Sequence, residues 1–196
     1  MKIKVVVFML LWFLVACNEE DYTPKPRAYF RIDLPEKEYR LFSPADCPYE
    51  FEYPIYANVE RDTTFFDEKT EDPCWLNISF GSLGGMIHIS YKPITAKQTL
   101  YSLTEDAHKM SFKHTVRADY IEERYINTPN GAKGVLYDIG GNAASNVQFF
   151  VTDSINHYIR GALYFNAAPN ADSLEPVVKF VRDDMVHLIE SFRWKN

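Results

Sequence analysis

The sequence lacks the patterns that usually reveal an enzyme or a nucleic-acid-binding protein. Only three cysteines occur in 196 residues, and no two stand at the spacing of a redox pair. There is no nucleophile elbow, no phosphate-binding glycine loop and no His-Glu-x-x-His pattern. Acidic residues outnumber basic ones by 27 to 21, and phosphate binding needs a basic face. We therefore expect no catalytic residue, no cofactor and no nucleic-acid partner.

The apolar run near the N-terminus is too short to cross a membrane. It covers residues 5–15 and follows Lys2 and Lys4. As a helix at ~1.5 Å per residue it reaches roughly 16 Å, about half of a bilayer's ~30 Å hydrocarbon core. A basic start followed by a short apolar run is typical of a secretory signal peptide.

The run ends in the letters LVAC, with the cysteine at position 17. This pattern is cut by a lipoprotein signal peptidase directly before a cysteine that carries lipid. We predict that residues 1–16 are removed and that Cys17 is lipidated. Each buried acyl carbon contributes ~0.8 kcal/mol, so several chains hold a protein on a membrane without inserting it. The alternative interpretation is an N-terminal helix with an unpaired thiol.

Residues 17–27 are polar, acidic and proline-bearing, which predicts a tether, and residues 28–196 are then one domain. The acidic residues after Cys17 also allow a second interpretation, an address for export to the cell surface. Asn18 stands where some bacteria place an inner-membrane retention aspartate, which favours the outer membrane. Cleavage removes two lysines, so the formal charge changes from −6 to −8.

The remaining cysteines, Cys47 and Cys74, are an even pair in a chain predicted to be exported. A disulfide between them is the simplest interpretation, and it would stabilise the fold by roughly 3–4 kcal/mol. Two separate free thiols remain an alternative. Metal ligation is disfavoured because neither cysteine has a Cys or His nearby at ligand spacing.

The order of periodic segments predicts an α+β domain with an antiparallel sheet covered by two helices. Residues 81–85 are glycine-rich and indicate a hairpin turn. The last four strands are expected to form a meander. The predicted strands cover residues 28–34, 49–53, 75–80, 86–91, 119–127, 132–140, 146–153 and 157–166, and the first helix covers 95–114.

The C-terminal helix has the clearest pattern. Pro176 is expected in its first turn with Ser173 as the N-cap, because proline lacks the backbone donor needed further along. Apolar residues recur at three- and four-residue steps and form one stripe, which indicates core packing. The members of the stripe are Leu174, Val177, Val178, Val181, Met185, Leu188, Ile189 and Phe192.

The titratable residues do not form a pattern of catalysis or metal binding. His108 and His114 are six residues apart, not the three or four that place two ligands on one helix face. We expect His88 and His187 to be structural, and the pairs Glu122-Glu123 and Asp183-Asp184 to be solvated. No metal site is predicted.

A cluster of arginine and aromatic residues follows the tether. Arg and Tyr are enriched at binding hot spots, so the cluster predicts a protein interface. In the alternative interpretation it is an edge strand in which Arg31 and Asp33 pair across a neighbour. The predicted interface residues are Arg27, Tyr29, Phe30, Arg31 and Asp33.

This cluster, behind a lipid cysteine, resembles the gliding-motility lipoprotein family called GldD, found in Bacteroidetes-type bacteria. The likeness covers nearly the whole mature chain and is most specific in YTPKPR at residues 22–27 and YFRI at 29–32, with CPY at 47–49, CW at 74–75 and SFR at 191–193. Glycine is the family's residue where Ala28 stands. The order of elements from residue 95 also looks like the PsbP-like α/β/α sandwich.

The resemblance implies a cell-envelope lipoprotein required for gliding and tied to type IX secretion, with no known catalytic activity. Its expected partners are the membrane, through the lipid, and other gliding or secretion proteins of the envelope. Two further hypotheses stay open. One is a small-ligand-binding protein or hydrolase with a cleft between sheet and helices, and the other is an inhibitor or immunity-type lipoprotein.

Overall fold

A seven-stranded antiparallel sheet forms the middle layer of the fold, with one helix on each face. The computed structural model describes residues 31–62, 64, 65, 68, 69 and 72–195. The compact unit that contains the sheet runs from Asp33 to Asn196, and the unit before it ends at Ile32. The α+β prediction is therefore confirmed.

The described residues form twelve strands and two α-helices. In chain order the strands are β1 (Tyr39–Phe42), β2 (Tyr49–Pro54), β3 (Asn58–Arg61), β4 (Thr64–Phe65), β5 (Glu68–Lys69), β6 (Leu76–Phe80), β7 (Gly85–Pro93), β8 (Ala118–Asn127), β9 (Lys133–Gly141), β10 (Val147–Thr152), β11 (His157–Phe165) and β12 (Arg193–Trp194), and the helices are α1 (Leu100–Phe112) and α2 (Ala171–Ser191).

The strands of the main sheet lie in the order β3-β6-β7-β11-β10-β9-β8. The last four follow one another along the chain, so the predicted meander is confirmed. The predicted hairpin at residues 81–85 is also present: β6 pairs with β7, and Gly84 between them has a φ of +64°. Glycine adopts this left-handed conformation without the penalty that a Cβ brings.

One face of the sheet packs on α2 through the predicted apolar stripe. Side chains alternate along each strand, so every second residue points to this helix. Phe149 lies over Gly161 on the neighbouring strand, where an added Cβ would stand only 2.2 Å from its ring. The buried residues of α2 in this core are Val177, Val181, Met185, Leu188 and Ile189, and Phe192 joins them directly after the helix.

A second, three-stranded sheet, β1-β2-β12, extends this core. Tyr49 and Phe51 of β2 stack on Phe192, which follows α2. The structure joins Cys47 and Cys74 in a disulfide with their Cα atoms 5.4 Å apart. Both sulfurs lie in the same core, so the bond fastens the loop before β2 to the turn before β6.

The other face packs on α1 through a smaller cluster. Leu103 and Ala107 of the helix contact side chains of β9, β10 and β11, among them Tyr137, Phe150 and Tyr158. The helix begins at Leu100 with Thr99 as its N-cap, five residues later than predicted. Residues 95–98 form a turn instead, in which Thr95 and Gln98 bond each other.

The start of α2 also differs from the prediction. Its N-cap is Asn170, whose side chain accepts from the backbone N–H of Ser173, so Ser173 is not the cap. Pro176 is the sixth residue of the helix and lies past the first turn. The helix therefore loses one backbone hydrogen bond there. The asparagine wins because its carboxamide oxygen reaches the free N–H groups of the first turn.

Candidate functional site

The predicted interface is only partly within the described residues. Arg27, Tyr29 and Phe30 lie outside them. Arg31 and Asp33 are exposed, and residues 31–38 are not a strand, so the predicted edge strand at 28–34 is wrong for its described part. Residues 31–34 are all exposed, so no buried face holds them in a sheet, and Pro35 lacks a ladder donor. The edge strand forms later, as β1.

The segment after Asp33 is fastened to α2 by Lys37. Its ammonium donates to the carbonyl oxygen of Phe180 at 2.9 Å and lies 4.4 Å from the centre of the Phe180 ring. It also lies 3.1 Å from a carboxylate oxygen of Asp184. A carbonyl, an aromatic ring and a carboxylate thus hold the Lys37 ammonium in place.

Asp184 is the centre of this attachment, which we call the Asp184 cluster: Lys37, Tyr39, Tyr56 and Asp184. The carboxylate is 1% exposed, so the prediction of a solvated Asp183-Asp184 pair is wrong for Asp184. The hydroxyl of Tyr39 donates to Oδ1 at 2.9 Å, and that of Tyr56 donates to Oδ2. A buried carboxylate needs such partners.

The tyrosines of the Asp184 cluster remain neutral far above neutral pH. Burial and the hydrogen bond to Asp184 raise the pKa of Tyr39, and the same two causes raise the pKa of Tyr56. Both hydroxyls therefore stay protonated and donate to Asp184. The cluster is a set of satisfied contacts.

His187 continues the attachment one turn along α2. Its ring stacks on Tyr39 with centroids 3.6 Å apart, and its Nε2 lies 2.7 Å from Oε2 of Glu52 on β2. The backbone N–H of Glu52 donates to Ser191 Oγ at 2.9 Å. These contacts give His187 a structural place between β1, β2 and α2.

A cleft of about 420 Å³ opens between the first half of α2 and strands β8 and β9. At its wall Asp138 accepts two hydrogen bonds from Arg182, one from Nε at 2.5 Å and one from Nη2 at 2.7 Å. Arg124 approaches the same carboxylate at 2.8 Å. The hydrogen bond to Asp138 raises the pKa of Arg182. Asp138, Arg182 and Arg124 are thus paired with one another at this wall.

The remaining predictions concern histidines and metals. His88 Nδ1 lies 2.6 Å from Asn77 Oδ1 across two strands, and His108 Nε2 lies 3.4 Å from a carboxylate oxygen of Glu123. Among the residues that the structure describes, no group of three or more His, Cys, Asp or Glu side chains is placed to hold a metal ion.

The anchor prediction falls outside the described residues, since these begin at Arg31, after Cys17. No helix in the described part of the chain combines the length and the apolar character that a membrane crossing requires.

The geometry defines a class of protein: an α/β/α domain in which Lys37 attaches the segment before β1 to α2. The charges at the cleft wall described above form ion pairs. The family model for gliding motility lipoprotein GldD matches residues 19–194. The chain therefore belongs to the GldD family of gliding motility lipoproteins, and the resemblance noted from its motifs is confirmed.

A solved structure resembles the fold. The solution structure of cyanobacterial PsbP (CyanoP) from Synechocystis sp. PCC 6803 is similar at 15% identity and a TM-score of 0.45, over 84% of this chain and 97% of that one. None of the curated proteins compared with the chain matches it.

Proposed function

We propose that this protein is a noncatalytic, lipid-anchored component of the cell envelope that supports the assembly or stability of the gliding and type IX secretion machinery through protein contacts. Membership of the gliding motility lipoprotein family supports a role in gliding. The Asp184 cluster supports a role as a tethered body, because it holds the chain at Lys37 and Tyr39 against α2.

The attachment limits where the body works. Cys17 and Lys37 are twenty residues apart, and a fully extended chain of that length spans about 70 Å at most. Because Lys37 and Tyr39 fix the chain on α2, the slack ends there. A lipid on Cys17 then keeps the folded body within that distance of the leaflet, which raises its effective concentration near other membrane-bound partners.

The contact surface that we propose is the arginine-rich segment Arg27 to Asp33. Its described members Arg31 and Asp33 are exposed, and the segment lies directly before the fastened residues. A double charge reversal, Arg27→Glu with Arg31→Glu, tests it by complementation of a deletion strain. We expect the strain to lose gliding and type IX secretion, the wild-type gene to restore both, and the variant to fail at wild-type abundance.

Arg117→Glu is the matched control and should complement fully, since Arg117 is an exposed arginine directly after the short 3-10 helix Lys113–Val116 that follows α1. Full complementation by the double reversal would discard the surface. A deletion strain that glides and secretes normally would discard the function. Separation of inner and outer membranes by density would test the proposed outer-membrane location.

The cleft supports a second candidate, a protein that binds a small polar ligand between sheet and helix. Its size suits a small molecule, and it is lined by Asp138, Arg124 and Arg182. Replacing Val178, which also lines it, with Trp should fill the space. Unchanged gliding in Val178→Trp favours the contact surface, and loss of gliding with retained abundance favours the cleft.

A further inference from the structure

The face of the main sheet that carries α1 is polar where the helix does not cover it. Asn77 on β6, His88 and Ser90 on β7 and Arg160 on β11 all point to this face, because they pair with one another across the strands or stand two residues apart along them. All four are half-buried. This combination differs from the apolar face on α2.

Arg160 is a cation without an acidic partner among the side chains that the structure describes. Its Nη2 donates to Gln148 Oε1 at 2.5 Å. Burial lowers its pKa, and the groups that oppose this effect are the phenols Tyr164 and Tyr158 and a third tyrosine, not carboxylates. By contrast, Arg124 and Arg182 both meet Asp138. Buried charges are normally paired, because removal from water is costly.

The partner of Arg160 is the neutral carboxamide of Gln148. Its side chain is 1% exposed, and its Oε1 accepts from Arg160 and from Ser111 Oγ, the latter at 3.2 Å. Its Nε2 has no partner in the described part of the structure. A buried donor without an acceptor costs about 1–3 kcal/mol. Gln148 therefore orients the guanidinium of Arg160 but gives it no negative charge.

No described carboxylate forms an ion pair with Arg160, and the acidic group Asp62 acts on His88 instead. Burial and the charge of Arg160 lower the pKa of His114, so its ring is neutral at neutral pH. The C-terminal end of α1 is at Phe112 beside Ser111, and a helix end supplies only about half an elementary charge. A net positive charge remains at Arg160.

We propose that Arg160, oriented by the Gln148 carboxamide, forms a binding site for an oxyanion, the carboxylate or phosphate group of a ligand, on the open half of the α1 face. The planar fork of a guanidinium matches both groups with two parallel hydrogen bonds. Ser90 stands directly opposite Arg160 on β7 and can add a hydroxyl donor. The site is separate from the segment Arg27 to Asp33 and does not rest on the proposed function.

The first test measures thermal unfolding of the full lipid-bearing chain in nonionic detergent at constant ionic strength, in chloride, phosphate or acetate. A ligand that binds only the folded state raises the Tm in a saturable way; we expect a rise of about 2–4 °C with phosphate or acetate. Arg160→Gln should abolish the rise. Arg117→Gln, at an exposed arginine that does not line the cleft, is the control and should keep it.

A second readout does not depend on how stable a variant is. In the wild-type chain, nuclear magnetic resonance of labelled histidine should show the pKa of His114 rising when phosphate or acetate neutralises Arg160, while His187 stays unchanged. Arg160→Lys keeps the charge but loses the fork, so its response should be weaker than that of the wild type.

A third arm separates a free anion from a lipid headgroup. The chain is placed in vesicles of phosphatidylcholine with or without phosphatidylglycerol. A Tm rise that needs phosphatidylglycerol and Arg160 identifies a lipid phosphate, and a rise with soluble phosphate or acetate identifies a free oxyanion. The proposal is overturned if none of the three probes changes the Tm or His114, or if Arg160→Gln responds as strongly as the wild type.

Discussion

The face of the main sheet on α2 is filled by aliphatic and aromatic side chains, whereas the face on α1 is apolar only beneath that helix. The α2 face also receives the disulfide, the second sheet and the segment behind the anchor. The α1 face instead leaves Arg160 and Gln148 without a negative partner among the described residues. The comparison indicates that stability is concentrated on one face and that the other is available for binding.

Two adjacent phenylalanines of β10 test this division most strongly. Phe149 points to α2 and Phe150 to α1. Phe149→Ala should lower the free energy of unfolding by about 3–5 kcal/mol, since the ring lies over Gly161 in the larger core. Phe150→Ala should cost clearly less, because its cluster is smaller. Denaturant unfolding measures both, and equal losses would break the comparison.

The disulfide tests whether the second sheet belongs to the α2 core. Replacing Cys47 and Cys74 with serine removes a link across 27 positions. The expected loss is about 3–4 kcal/mol, because the unfolded chain regains the entropy of an open loop. The wild type under reducing conditions is the control and should lose a similar amount. A loss below about 1 kcal/mol would show that the link contributes little to this core.

The Asp184 cluster supplies a sharper test within α2. Asp184→Ala leaves two phenols and an ammonium without their acceptor, so it should cost about 2–3 kcal/mol. Asp183→Ala is the matched control: this neighbour has a side chain 56% exposed and should change stability by less than about 0.5 kcal/mol. Similar values for both variants would contradict the described geometry.

The smallest expected effect is at alkaline pH. Because the folded state raises the pKa of Tyr39 and Tyr56 above the ordinary tyrosine value of 10.0, folding favours the neutral phenols. Their contribution is complete below that value and is lost as the pH rises toward the folded pKa. Unfolding free energies at about pH 8 and about pH 11 should differ less in the Tyr39→Phe, Tyr56→Phe double variant than in the wild type.

Local patterns predicted most of the fold because they record burial directly. The two-residue period of residues 146–166 gave the last two strands of the meander, and the stripe on α2 gave its buried face. Boundaries were less accurate. At α2 the prediction chose Ser173 rather than Asn170 as the cap, because both residue types suit that position and only the surrounding structure decides between them.

The site was harder to predict, because its partners are far apart in the chain. Asp184 stands three residues after Val181 and four before Leu188, so it falls on the apolar stripe, a signal that could have marked it as buried. Its partners Tyr39 and Tyr56 lie 145 and 128 residues away, which no local period reveals. Arg160 likewise follows the strand alternation. Only the packing of the strands shows that its partner is an amide and that no carboxylate of the described residues pairs with it.

The measurement that tests the central claim most directly is mass spectrometry of the protein purified from its native membranes. If the folded body works as a tethered partner in the envelope, the chain begins at Cys17 and carries the added mass of acyl chains on that residue. Recovery of an intact leader, or of position 17 as a bare thiol, would contradict this account.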